Sequence, residues 1–125
     1  MSKNGNLLLS VPLRADGTFD EKEEKILNEF GAWMNINKEA IYDTRPWVAE
    51  EDIPLNAQGF NEGSYSQAGA KEIRFTQTPK YLYATVLAWP ADGKVNIKSL
   101  AADSKLYEGK IRKVELLGYG KVDFV

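Results

Sequence analysis

The sequence predicts a mainly β fold, an antiparallel β-sandwich preceded by a single strand–helix unit. Three features carry that expectation. The chain opens with a short apolar run and one amphipathic helical pattern, passes through a long irregular stretch, and finishes in short apolar runs divided by turn signals. The first feature is the grammar of parallel α/β architecture, and the last is that of antiparallel sheets.

Residues 6–11 read NLLLSV, apolar without alternation and closed by Pro12, the pattern of a strand buried on both faces. Burying its three leucines is worth roughly 5 to 9 kcal/mol, a gain that needs neighbouring strands and a covering layer. The pair Asp16-Gly17 marks a turn, and Asp20 stands three residues before Glu23 in the spacing of a capping box, so a helix is expected to begin there. Ile26, Leu27, Phe30, Trp33 and Met34 then place one apolar stripe on a helix over residues 21–35.

Residues 40–70 are expected to be irregular: Pro46, Pro54, Gly59, Gly63 and Gly69 punctuate polar sequence, with Tyr42, Trp47 and Phe60 as anchors. Strands are expected over residues 72–76, 81–89, 94–100 and 110–117, with a shorter one over 121–125. In the run 81–89, Tyr81, Tyr83, Thr85, Leu87 and Trp89 alternate with Leu82, Ala84, Val86 and Ala88, so both faces are largely apolar and a central strand is predicted. Ala91-Asp92-Gly93 is expected to turn it into a hairpin with the run that follows.

Composition narrows function. Sixteen Lys and Arg oppose 18 Asp and Glu, a net charge of −2, too weak and too mixed to favour nucleic acid or an anionic membrane surface as partner. No stretch approaches a membrane span, and the sequence from Met1 to Leu9 lacks the apolar region and cleavage site of a signal peptide. Compartment is left open. With no Cys and no His, the commonest general base and the commonest transition-metal ligands are missing, leaving carboxylates, Lys and Tyr for acid–base work.

Several side-chain clusters are candidate sites. Arg14 and Asp16 follow the apolar run and are candidates for substrate contact, but a turn that hands the chain to its helix accounts for them. Glu50-Glu51-Asp52 lacks the ligand spacing of a calcium loop and reads as a solvated loop. Glu21, Glu23, Glu24 and Glu29 suit a helix dipole and pairing with Lys22 and Lys25 better than catalysis. Trp47, Tyr65, Tyr81, Tyr83, Trp89 and Tyr107 offer rings for stacking on sugars. Tyr81, Tyr83 and Trp89 share one strand face, however, which favours core packing, whereas Tyr65 and Tyr107 stay open. Ser64 and Ser66 have no histidine to activate them.

Lys3-Asn4-Gly5-Asn6-Leu7-Leu8-Leu9, Ala15-Asp16-Gly17-Thr18 and Glu39-Ala40-Ile41-Tyr42 with Thr44-Arg45-Pro46-Trp47 resemble the ordered motifs KNGNLLLN, ADGT and GEAIYGTRPW of glycoside hydrolase family 29, the α-L-fucosidases. Arg74-Phe75-Thr76, Leu82-Tyr83-Ala84, Leu87-Ala88-Trp89-Pro90 and Val114-Glu115-Leu116-Leu117-Gly118 resemble motifs of that family's C-terminal domain. Ser10, Leu13, Lys38 and Asp43 depart from the pattern at loop positions.

The resemblance implies a (β/α)₈-like barrel followed by a β-sandwich. On that basis residues 1–39 are expected to be the last barrel strand and helix, 40–70 a connecting segment and 71–125 the C-terminal sandwich, short of closing strands. It also implies a retaining mechanism with two carboxylates roughly 5 to 5.5 Å apart, both upstream of the Lys3 motif. No catalytic, cofactor-binding or metal-binding residue is therefore expected in this chain, which alone should be inactive. The expected role is to close and brace the barrel of an enzyme hydrolysing terminal α-L-fucosides, with the rest of the barrel as partner and fucosylated glycan engaged only through the whole enzyme. The alternatives are a stand-alone carbohydrate-binding sandwich or a module that self-associates through Leu7 to Val11. The family is often secreted, periplasmic or lysosomal.

Overall fold

The structure, a computed structural model, describes residues 1–52 and 72–125. These divide into two compact units. A sheet unit is formed by Met1–Gly5 and Asp43–Lys110, and a helix unit by Asn6–Tyr42 and Ile111–Val125. Five strands in two antiparallel sheets and one α-helix make up the described elements, apart from two short 3₁₀ turns. The fold is the expected antiparallel β structure with one helix.

In the sheet unit, β1 (Arg45–Glu51), β2 (Ile73–Gln77) and β3 (Leu82–Val86) pair in that order. The β2–β3 ladder runs in register from Ile73 opposite Val86 to Gln77 opposite Leu82. The β1–β2 ladder shifts register between Pro46 and Glu51, and bulges of this kind are commonest at sheet edges. Because β2 is bonded on both sides, its side chains are the best covered: Ile73 and Phe75 are fully buried. They meet Trp47 on one face, with the Trp47 and Phe75 ring centroids 5.0 Å apart at 65°, the edge-to-face geometry aromatic pairs favour. Ala49, Leu82, Val86, Ile97 and Leu100 pack around this nucleus. Ile97 and Leu100 come from the 3₁₀ turn Lys98–Leu100 and its leading residue.

In the helix unit, α1 (Glu21–Asn37) starts where the spacing predicts. Asp20 adopts extended backbone and its carboxylate accepts from the Lys22 N–H at 2.8 Å, one residue nearer than a capping box would place that bond. Glu21, Glu23 and Glu24 occupy the first turn, where the dipole favours acids. The helix runs two residues beyond the expected limit of Asn35, since the Lys38 N–H still bonds the Met34 carbonyl. Strands β4 (Glu115–Leu116) and β5 (Gly120–Lys121) form a small hairpin. Gly118 at its turn has φ +79, and a Cβ there would lie 2.7 Å from Ile36 Cγ2, so glycine lets the hairpin turn seat against the helix's last residues.

Several expectations fail for physical reasons. Residues 6–11 form no strand, because no strand among the described residues offers them a ladder, and Leu8 is 96% exposed. The stretch expected to be irregular contains β1; its Pro46 is tolerated because β1 lies at the edge of the sheet. Among the described residues, strand β3 is an edge rather than the centre. The Ala91-Asp92-Gly93 turn forms, with the Gly93 N–H bonding the Pro90 carbonyl at 3.1 Å, but the following run ends in a 3₁₀ turn instead of a strand. Of residues 110–117 and 121–125, only Glu115–Leu116 and Lys121 take strand conformation. Residues 53–70 of the expected connecting segment lie outside the described residues.

Candidate functional site

The acidic run at the end of β1 forms a connected polar cluster among the described residues of the sheet unit. Glu51 stands opposite Arg74 in the ladder, and the two pair on the face turned away from the Trp47–Phe75 nucleus. Glu51 Oε2 and Arg74 Nη1 are both shut off from solvent, and Lys3 Nζ approaches the other carboxylate oxygen at 3.7 Å. Asp52 turns elsewhere: its Oδ2 accepts from the Lys98 N–H at 3.0 Å and its Oδ1 from the Ser99 N–H at 2.5 Å. Partial burial pushes the Asp52 carboxyl up, but bonds from the Ser99 hydroxyl and backbone and the Lys98 N–H, with the Lys98 charge, outweigh it and hold the pKa below 3.8. The solvated-loop reading of Glu50-Glu51-Asp52 is thus corrected for two of its three members, while Glu50 is exposed.

The other candidates resolve as structural features. Asp16 accepts from the Thr18 N–H at 2.9 Å and from its hydroxyl at 2.7 Å, an arrangement that lowers the Asp16 pKa, chiefly through the backbone bond. Arg14 lies 3.5 Å from the Asp20 carboxylate, so Arg14 and Asp16 serve the turn into α1. Lys25 and Glu29 pair at 3.8 Å on the wet face of α1. The aromatics divide. Trp47 is core, but Tyr81 is 63% exposed and Trp89 80% exposed, which overturns core packing for both. The register explains Tyr81: Leu82 and Val86 are the β3 residues that face the nucleus, which sends Tyr81 and Tyr83 to the opposite side, while Trp89 lies beyond the end of β3. Tyr81 and Tyr83 contact each other edge to face at 6.3 Å. Tyr107 is exposed, and Ser64, Tyr65 and Ser66 lie outside the described residues.

An open depression of 340 Å³ at the end of the β1–β2 ladder is lined by Asp43, Arg45, Gln77, Thr78 and Pro79. Among the described residues no group of three or more His, Cys, Asp or Glu is arranged to hold a metal ion, and no helix is long and apolar enough to cross a membrane.

What the helix unit presents is apolar and uncovered. No residue of α1 is buried, and Ile26, Phe30 and Trp33 of its predicted stripe are exposed together with Leu7, Leu8 and Leu9. Sequence reasoning places these residues in a core. The apolar pattern is there, and the covering layer is what the described residues lack.

Comparison with known proteins identifies a family. Residues 1–39 match the α-L-fucosidase family and residues 67–125 match the α-L-fucosidase C-terminal domain. Plasma α-L-fucosidase of Pongo abelii is 29% identical over 123 residues, covering 97% of this chain and 22% of the relative. Tissue α-L-fucosidase of Rattus norvegicus is 31% identical over 99 residues, 79% of this chain and 18% of the relative, and α-L-fucosidase of Branchiostoma floridae is 30% identical over 97 residues, 78% and 18%. The chain spans about a fifth of the length of these relatives. Two matches in sequence order, to the α-L-fucosidase family and to its C-terminal domain, place the chain in the α-L-fucosidase family of glycoside hydrolases.

Proposed function

We propose that this chain is the non-catalytic C-terminal part of an α-L-fucosidase-like glycoside hydrolase, with residues 1–39 supplying the last strand and helix of the catalytic barrel, 40–70 the connection and 71–125 the C-terminal sandwich. The observation that carries this reading is the ordered pair of family matches on one chain. The exposed apolar faces support it. Leu7, Leu8, Leu9, Ile26, Phe30 and Trp33 have the composition of a surface made to be covered, and the remaining barrel strands and helices are the partner that would cover it. In this role the chain closes and braces the barrel, while the two carboxylates that cleave the terminal α-L-fucoside lie elsewhere in the whole enzyme.

Incubation of the chain with an aryl α-L-fucoside should release no phenol, and measurable turnover would overturn the non-catalytic role. Sedimentation over a wide concentration range tests the partner. A mass that doubles with concentration, and is returned to the monomer by Leu8→Lys, would mean that Leu7 to Val11 pairs with a second copy instead.

A second reading, a carbohydrate-binding module, is favoured by the exposure of Trp89 and Tyr81. A titration of tryptophan fluorescence with fucosylated sugars is expected to stay flat under the leading reading and to saturate under the second.

A further inference from the structure

The consecutive acids at the end of β1 do something that neither the apolar surface nor the family matches require. Side chains alternate along a strand, so neighbouring residues at a strand end reach opposite faces of the sheet. Glu51 uses this to reach Arg74 and Lys3 on the face away from the nucleus. Asp52 reaches the backbone N–H groups of Lys98 and Ser99, whose 3₁₀ turn carries Leu100 onto the Trp47–Ile73–Phe75 nucleus. The Asp52 N–H is itself fixed to the Ile73 carbonyl at 3.2 Å, so the end of β1 that carries the acid pair is bonded to the most buried strand of the sheet.

We propose that Glu51 and Asp52 form a two-sided clasp, in which Glu51 ties the segment Met1–Gly5 to one face of the sheet and Asp52 ties the turn Lys98–Leu100 to the other. Among the described residues neither segment belongs to a strand ladder. The first is closed on itself by the bond from the Asn4 N–H to the Met1 carbonyl at 2.8 Å, and the turn's own bonds, Leu100 N–H to Ile97 and Ala101 N–H to Lys98, do not join it to the sheet. The charged side chains supply the link that a ladder would otherwise give. A carboxylate receiving two N–H groups makes stronger bonds than a neutral acceptor would, and the Arg74 guanidinium presets the Glu51 carboxylate for Lys3. The consequence is positional: the clasp fixes the point from which the apolar run after Gly5 leaves the sheet unit. It is a property of that unit alone and holds whether or not the run docks on a barrel.

Both arms are tested on the unmodified chain and on two variants. A carbodiimide activates a carboxylate, the lysine amine displaces the resulting urea, and an amide forms with net loss of one water. Peptide mass spectrometry after such treatment should find Lys3 joined to Glu51, and Glu51→Gln should remove that product. Lys3 joined indiscriminately to other carboxylates, or to none, overturns the Glu51 arm. For the other arm, Asp52→Asn keeps the side-chain volume but removes the charge and one acceptor. Amide hydrogen exchange at Lys98 and Ser99 should then accelerate roughly tenfold while the amides of Ile73–Gln77 keep their rates. Unchanged exchange at Lys98 and Ser99 overturns the Asp52 arm. Acceleration that spreads equally through Ile73–Gln77 also overturns it, because Asp52 would then support the whole sheet rather than clasp one turn.

Discussion

The two units of this chain handle the same kind of side chain differently. In the sheet unit Ile73 and Phe75 are fully buried, whereas in the helix unit an equally apolar set, Leu8, Ile26, Phe30 and Trp33, faces solvent. The difference lies in where each element finds its partner. An antiparallel sheet whose strands all lie within one unit can supply both its own ladder and one face of its own core. A lone apolar run and an amphipathic helix supply neither, because an apolar stripe is buried only where a further layer of strands or helices packs on it. The sheet unit has a buried nucleus of its own, whereas no residue of α1 in the helix unit is buried.

The largest test of this contrast is Phe75→Ala, which should cost the sheet unit about 3–5 kcal/mol by leaving a cavity beside Trp47, read as a fall in urea stability. Its counterpart, Phe30→Ala, should change stability by no more than about 0.5 kcal/mol because that ring is already exposed. Equal effects would break the contrast and mean that the helix face is covered in solution.

Gly118→Ala comes next. At φ +79, with a Cβ 2.7 Å from Ile36, it should loosen the β4–β5 hairpin by about 1–3 kcal/mol, seen as faster amide exchange at Tyr119 and Val122. Asp20→Ala removes the cap of α1 and should cost about 1 kcal/mol of helix stability, visible as lower helicity by circular dichroism. This sharpens the contrast, because a helix without a buried face depends more on its ends.

The smallest effect is the pH dependence of the Asp52 bonds. The folded pKa is lowered below 3.8, so the stabilisation is fully present above 3.8 and is lost as pH falls through the depressed folded value. Exchange at Lys98 and Ser99, corrected for intrinsic rates, should accelerate selectively at the acid end of a titration. In Asp52→Asn that selective change should be absent.

The legible parts of the fold were those fixed by neighbours in sequence. The Asp20 cap, the start of α1, the turns at Asp16-Gly17 and Ala91-Asp92-Gly93, and the approximate span of β2 all depend on residues within a few positions of one another. What could not be read depends on pairing. Tyr81 and Trp89 look like core residues in a strand that is apolar on both faces, but the β2–β3 register gives the covered face to Leu82 and Val86, and Trp89 lies beyond the end of β3. Glu51 and Asp52 look like loop acids until β1 is laid beside β2, and only then does Arg74 come opposite Glu51. No spacing within residues 45–52 signals a partner more than twenty residues away in sequence.

The sequence by itself determined the local conformations, the inventory of chemistry and the family motifs. It placed one amphipathic helix after one apolar run, offered neither histidine nor cysteine, and carried the ordered signatures that the family matches bear out. Tertiary structure decided which apolar faces are covered, which strand is central and which acids are held. Those outcomes turn on register and on the presence of a covering layer, quantities set between segments rather than within them.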